Sequence, residues 1–334
     1  MEFQVYKIHS DFYYVKDLCD KQEYTCKLKE TIKKQKIDVF VGDFVELSEE
    51  KDKIVSVVKR KNQIPRPKAS NIDLALVVAS LKEPDLDLIQ LNRYLIFLKY
   101  HNVDTAICFN KEDLDDNLEN NIKNIKDIYE KLGYKIFFIS AKNKIGLEEL
   151  KEYIINKTTT LVGSSGVGKS TLLNSLNFKN ETTLRTQDVS SKTQRGRHTT
   201  RHCEIIEFDK FKIMDTPGFS CLKFDFLLPT ELLNLFDDIK IYAKNCKYSN
   251  CYHDVKQENI CNVYDNLDKI APSRYESYLL FLKESLEYKE HISKRSIKEE
   301  KFNKNVGNRT LTKVSKRKRQ NSRNTFNQNI KDME

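Results

Sequence analysis

Short runs rich in Val, Ile, Tyr and Phe recur through the first 65 residues, at 13–15, 24–28, 37–47 and 54–58. Polar turns separate them, and Gly42-Asp43 interrupts the third. Many short strands divided by turns predict a small barrel or sandwich. A five-stranded OB-type barrel fits the length, and so does any other small β module. Ile64-Pro65-Arg66-Pro67 ends the region, because each proline drives its predecessor toward extended backbone. From residue 70 onward the pattern changes. Apolar runs at 74–78, 105–109, 136–139, 158–162 and 211–214 have the length of buried parallel strands, and 86–100 and 118–132 carry helical spacing between them. That alternation predicts a doubly wound α/β sheet. Residues 228–290 read as mostly helical. The expected multidomain organisation is a β-barrel over 1–65, an α/β domain over 66–225, a helical domain over 226–290 and a basic tail without stable structure over 291–334.

Composition adds boundaries to this picture. With 39% hydrophobic residues among 334 the chain can build cores, which excludes wholesale disorder. No apolar run approaches the roughly 20 residues that span a bilayer, so no membrane segment is expected. Met1-Glu2-Phe3-Gln4-Val5-Tyr6 has the build of neither a signal peptide nor a transit peptide. Five of the eight cysteines are scattered, while Cys246, Cys251 and Cys261 gather around a histidine. That suits a metal site in a reducing compartment better than a disulfide framework, and a cytoplasmic location is the expectation. The formal charge of +9 is uneven: residues 294–334 hold 13 Lys and Arg against 4 Asp and Glu, leaving 45 of each sign in the rest. A neutral body carries a cationic tail.

Gly163-Ser164-Ser165-Gly166-Val167-Gly168-Lys169-Ser170, followed by Thr171, matches the P-loop pattern between a predicted strand and a predicted helix. Its glycines let backbone N–H groups wrap phosphates, Lys169 reaches the β and γ phosphates and supports catalysis, and Ser170 is a ligand for Mg²⁺. Asp215-Thr216-Pro217-Gly218 ends the strand at 211–214, where a P-loop NTPase carries its Walker-B aspartate. Asp215 is thus a second Mg²⁺ residue, and the Gly218 N–H a γ-phosphate sensor. Asn110-Lys111-Glu112-Asp113 and Ser140-Ala141-Lys142 each follow a predicted strand. Guanine offers N1–H and a 2-amino group that one carboxylate, Asp113, can accept together. Asn110 is expected at N7, Lys111 over the base plane and the Ala141 N–H at O6. GTP is favoured over ATP on this ground, with a P-loop ATPase as the weaker alternative.

The order of these motifs is unusual. The base-reading segments at 110 and 140 precede the P-loop, which precedes Asp215, so the switch near 215 runs straight into the C-terminal module. Permuted order, a β-rich N-terminal domain and a C-terminal Cys/His cluster together resemble the circularly permuted GTPases of the RsgA family, which act on the small ribosomal subunit during its assembly. The resemblance covers residues 37–290 and includes Val41-Gly42-Asp43, Arg60, Asn62, Arg66-Pro67, Ala69-Ser70-Asn71-Ile72-Asp73 and Gly196-Arg197-His198-Thr199-Thr200. It implies an OB fold and RNA binding for the N-terminal domain. It also implies that 196–200 is switch I, with Thr199 or Thr200 closing over Mg²⁺ and γ-phosphate. His198 is implied as a water-positioning group, a surface histidine being the alternative. Phe219 stands where Ras-type enzymes carry a water-orienting Gln, so intrinsic hydrolysis is expected to be slow.

Cys246-x4-Cys251-x-His253-x7-Cys261 supplies three thiolates and an imidazole, a set suited to one structural, tetrahedral Zn²⁺. The resembled family has five residues between the histidine and the last cysteine where this chain has seven, which makes Cys261 the least secure ligand. Arg274, Tyr275 and Tyr278 match the family's C-terminal helix or serve as core. The sequence thus points to a monomeric GTPase using GTP/GDP, Mg²⁺ and Zn²⁺, with the small ribosomal subunit and its rRNA as partner. The alternative is a GTP-gated rRNA-binding scaffold in which hydrolysis is incidental.

Overall fold

The computed structural model describes residues 3–115, 117–176, 203–208, 210–215, 222–254, 260–300, 303–306 and 309–312. Five strands open the chain: β1 (Phe3–His9), β2 (Phe12–Asp17), β3 (Glu23–Leu28), β4 (Phe44–Leu47) and β5 (Lys53–Val57), with α1 (Glu30–Gln35) between β3 and β4. They close on themselves in the order β1-β2-β3-β5-β4-β1, antiparallel except for β3 against β5. This is the OB-type barrel that the sequence allowed. Its interior is filled by Phe3, Val5, Val15, Cys26, Val39, Val45 and Ile54, with Ile32 of α1 among them.

The expected strand at 37–47 is shorter than its apolar content suggests: only Phe44–Leu47 is extended. Gly42 has φ +96°, and a Cβ there would lie 2.1 Å from the Ser70 carbonyl oxygen. The backbone must turn at this glycine. Asp43 then folds back, accepting from the Phe40 N–H at 2.7 Å, so 40–43 forms a tight turn. A bulge between Val5 and Lys7 bends β1. One edge of β1 pairs with β4 at Phe3 and Gln4, and beyond the bulge Lys7 pairs with Glu204 of the next sheet.

A short hairpin, β6 (Gln63–Pro65) with β7 (Lys68–Ser70), leads into the α/β region. Its elements are β8 (Leu74–Ser80), α2 (Leu88–Tyr100), β9 (Thr105–Asn110), α3 (Leu118–Tyr129), β10 (Lys135–Phe138), α4 (Leu147–Ile154), β11 (Thr158–Val162), α5 (Lys169–Leu176), β12 (Glu204–Glu207) and β13 (Lys212–Asp215). The strand order is β10-β9-β8-β11-β13-β12, all parallel except β12, which runs antiparallel to β13. The buried runs Leu-Ala-Leu-Val-Val of β8 and Ala-Ile-Cys-Phe of β9 are those of a sheet covered on both faces. Strand β12, last in this order and paired on its other side with β1, has only Ile205 and Ile206 as apolar positions and escaped the sequence reading. Ligands of such sheets collect at the carboxyl ends of the strands, and the ends of β9, β10, β11 and β13 carry the four motifs.

The C-terminal region contains α6 (Pro229–Leu235), α7 (Asp237–Ala243), α8 (Pro272–Glu300) and a ladder of β14 (Asn303–Val306) with β15 (Arg309–Thr312). Helix α8 thus continues past the expected boundary at 290, and residues 303–306 pair with 309–312 where a structureless tail was expected. The added turns, Lys-Arg-Ser-Ile-Lys-Glu-Glu, are built mostly from strong helix formers. The chain divides into two compact units, Met1–Leu222 with Leu233–Leu279, and Lys223–Leu232 with Leu280–Glu334. In the second, Phe224 packs on Phe281 with ring centroids 4.8 Å apart, and Ser285 Oγ donates to the Leu227 carbonyl at 2.7 Å. Among the described residues no helix is long and apolar enough to cross a membrane.

Candidate functional site: a P-loop nucleotide site and a Cys₃His cluster

The loop 163–168 joins β11 to α5, as a P-loop requires. Lys169, the first residue of α5, donates from Nζ to the carbonyls of Gly163 at 2.8 Å and Ser164 at 2.7 Å, which curls the ammonium back over the loop. Burial lowers its pKa, and the Asp215 carboxylate works in the opposite direction. Asp215 ends β13, and its carboxyl is raised by burial first and by Glu204 second, against the pull of Lys169. The Lys169 ammonium and the Asp215 carboxylate thus feel each other's charge from adjacent parallel strands, and Ser170 follows Lys169 in α5. The hard oxygens of Ser170 and Asp215 fit Mg²⁺.

The base-reading motifs are tied to the P-loop by one side chain. Asn110 is buried; its Nδ2 donates to the Val167 carbonyl at 2.9 Å, and its Oδ1 accepts from the Ala141 N–H at 2.9 Å. Sequence reasoning put Asn110 and the Ala141 N–H on the guanine edge; here they fasten three loops to one another. A Cβ on Gly168 would come within 2.3 Å of Asn110 Nδ2, at φ +92°, so this glycine is what lets the loop approach the asparagine. Ser175 Oγ of α5 donates to the Ala141 carbonyl at 2.7 Å. Ser140 exchanges backbone hydrogen bonds with Ile145, shaping the loop that presents Lys142. Lys111, in a left-handed conformation with φ +64°, reaches the Glu83 carbonyl with its Nζ. Asp113 lies in the short 3₁₀ turn Glu112–Leu114 and is exposed. The predicted positions 198–200 and 218, with Phe219, lie outside the described residues.

The residues singled out between the barrel and the sheet form a joint. Asp43, fully buried, accepts from Arg60 Nε at 2.7 Å and Nη2 at 2.8 Å and from Ser70 Oγ at 2.6 Å. Asn71 Nδ2 donates to the Gly42 carbonyl at 2.9 Å. Asn62 and Ile72 exchange a side-chain and backbone pair at 2.8 and 2.9 Å. Asp73 starts β11 by accepting from the Thr158 N–H at 2.9 Å. Sequence reasoning missed Asn92, whose signal is a polar residue within the apolar run of α2. It is fully buried, donates to Ser277 Oγ at 2.9 Å, and accepts from Tyr129 Oη at 3.0 Å and Arg274 Nη1 at 3.1 Å. Arg274 also grips Asp238 with two bonds of 2.9 and 3.0 Å.

Cys246, Cys251, His253 and Cys261 offer four donor atoms that all lie within 4.8 Å of one another. His253 Nδ1 is 3.5 Å from the sulfurs of both Cys246 and Cys261. Cys261, doubted for its long spacing, thus stands inside the cluster. Three soft sulfurs and one imidazole nitrogen, four donors in all, fit one tetrahedral Zn²⁺. Tyr275 Oη donates to the His253 carbonyl at 2.7 Å and Tyr278 Oη to the Tyr252 carbonyl at 3.1 Å. The tyrosines of α8 therefore hold the backbone that carries the histidine.

The RsgA GTPase family model matches residues 57–225 and the RsgA N-terminal domain model residues 3–56. The chain belongs to the RsgA family of GTPases. A third model, described as 50S ribosome-binding GTPase, matches residues 158–297. The small ribosomal subunit biogenesis GTPase RsgA of Alkaliphilus metalliredigens is 40% identical over 281 residues, covering 82% of this chain and 94% of the relative. RsgA 2 of Oceanobacillus iheyensis is 37% identical, covering 85% and 97%. Crystal structures agree. YjeQ from Thermotoga maritima superposes with a TM-score of 0.71 at 30% identity, covering 85% of this chain and 98% of that one. YloQ, a circularly permuted GTPase, gives 0.66 at 27%, covering 86% and 95%. The RsgA resemblance drawn from motif order and the Cys/His cluster is thereby established, and with it GTP hydrolysis as the activity.

Proposed function

We propose that this RsgA-family chain binds the small ribosomal subunit in its GTP state, assists late maturation there and leaves after hydrolysis. The observation that carries the reading is the Asn110 fastening: the guanine-reading segments and the P-loop form one hydrogen-bonded unit despite their permuted order. In the reaction, water attacks the γ-phosphorus and the bond to the β–γ bridging oxygen breaks, leaving GDP and phosphate. Lys169 stabilises the charge that develops on the phosphate oxygens, and the loop amides orient them. Asp113 selects guanine through N1–H and the 2-amino group. Ser170 and Asp215, with Thr200 of the switch, would hold Mg²⁺, which when bound neutralises the β and γ oxygens. The switch segment around 198–200 would complete the site, with Thr199 or Thr200 closing over Mg²⁺ and γ-phosphate and His198 as the candidate for positioning water.

Cys246, Cys251, His253 and Cys261 would hold a structural zinc that pins the helical module. The barrel and the basic residues beyond 294 supply RNA contacts through phosphates. Sedimentation with purified small and large subunits, under GDP and under a non-hydrolysable GTP analogue, tests this. GTP-dependent co-sedimentation with the small subunit alone is expected; binding to the large subunit instead would overturn the partner assignment.

A further inference from the structure

Three charged residues stand in a row across the strands that join the barrel to the Walker-B strand. Lys7 of β1 is the registered partner of Glu204 in β12, and Glu204 is in turn the registered partner of Asp215 in β13. Residues directly opposite in adjacent strands share a face, with Cβ atoms about 4.5–5.5 Å apart. Lys7 Nζ lies 2.8 Å from Glu204 Oε2. Among the described residues, Lys7 with Glu204 is the one registered pair between the barrel and the α/β strands.

Two carboxylates directly opposite each other repel and weaken a sheet. The arrangement has a use where a dication binds beside one of them, because a further negative charge strengthens the field that holds it. We propose that Glu204 is a positioning residue for the Mg²⁺ that Asp215 would hold, acting by its charge and not as a ligand, and that Lys7 tempers that charge from the barrel. The proposal rests on the assignment of Asp215 to Mg²⁺ made above.

The test uses the full-length protein and a fluorescent non-hydrolysable GTP analogue, and reads the Mg²⁺ concentration that gives half-maximal nucleotide retention. Asp215→Asn is expected to raise it about tenfold or more, and Glu204→Gln about threefold. Lys7→Met is expected to lower it about twofold, because the ion pair it removes is partly exposed. Glu204→Asp, which keeps the charge, is expected to stay within about twofold of the unmodified protein. An unchanged value for Glu204→Gln while Asp215→Asn shifts would overturn the proposal alone. So would a Lys7→Met shift in the same direction as Glu204→Gln, the mark of a loosened joint. An unshifted Asp215→Asn would remove the Mg²⁺ assignment and the proposal with it.

Discussion

Asp43 has no exposed surface, yet its carboxylate is matched by the Arg60 guanidinium, the Ser70 hydroxyl and the Phe40 amide. Arg60 also lies over the Phe40 ring, 4.1 Å from its centroid. Removing one partner of a buried pair leaves an uncompensated charge and costs about 3–5 kcal/mol. Arg60→Met is therefore expected to lower the unfolding free energy by about 3 kcal/mol in urea titrations, while the GTP affinity of the folded protein stays unchanged. The guanine contact is the second residue-scale claim. Asp113→Asn replaces two acceptors by an amide that suits xanthine, whose O2 replaces the 2-amino group. Nucleotide competition is expected to show a loss of GTP affinity of roughly tenfold or more and a gain for XTP; an unchanged preference for GTP would mean that Asp113 does not read the base. At this scale the P-loop and the Asn-Lys-Glu-Asp segment were legible as motifs, because such motifs are constrained by the ligand they serve. Asn92 and Glu204 were not, because their meaning lies in partners far along the chain or across a strand pair that no local pattern announces.

The elements were legible wherever burial was two-sided. The strands from β8 to β11 are apolar runs that the sequence shows directly, and α2 and α3 begin within two residues of their expected starts. The first strand and β12 lie where polar and apolar positions mix, and of the 37–47 run, read as interrupted at Gly42-Asp43, only Phe44–Leu47 beyond that turn is a strand. The Cys₃His cluster sits between these cases. Its ligands were named from spacing, but only the fold shows Cys261 Sγ beside His253 Nδ1. About one zinc per chain is expected by elemental analysis of the purified protein. Cys261→Ser is expected to lower retention well below that and to reduce the helical circular-dichroism signal on heating at temperatures the unmodified protein withstands. Full zinc retention by that variant would show that Cys261 is not a ligand.

For the whole molecule, charge and motif order carry different parts of the function. The body is neutral and the segment from 294 onward holds the whole +9 excess, so on the proposed reading electrostatic anchoring to phosphates is expected there and in local basic loops. Deleting 294–334 is expected to weaken small-subunit binding and flatten its salt dependence, with GTP affinity unaffected; an unchanged salt slope would place the RNA contacts elsewhere. Permutation carries the other part, because it sends the chain from the Walker-B strand directly toward the C-terminal helices instead of back into the sheet. On the proposed reading, a GTPase wired in this way, with Phe219 in place of a water-orienting glutamine, is expected to hydrolyse slowly until its partner completes the site. Multiple-turnover GTP hydrolysis with and without purified small ribosomal subunits measures this directly. Stimulation of about tenfold or more by small subunits, and none by large ones, is the expected result; equal turnover with and without small subunits would contradict it.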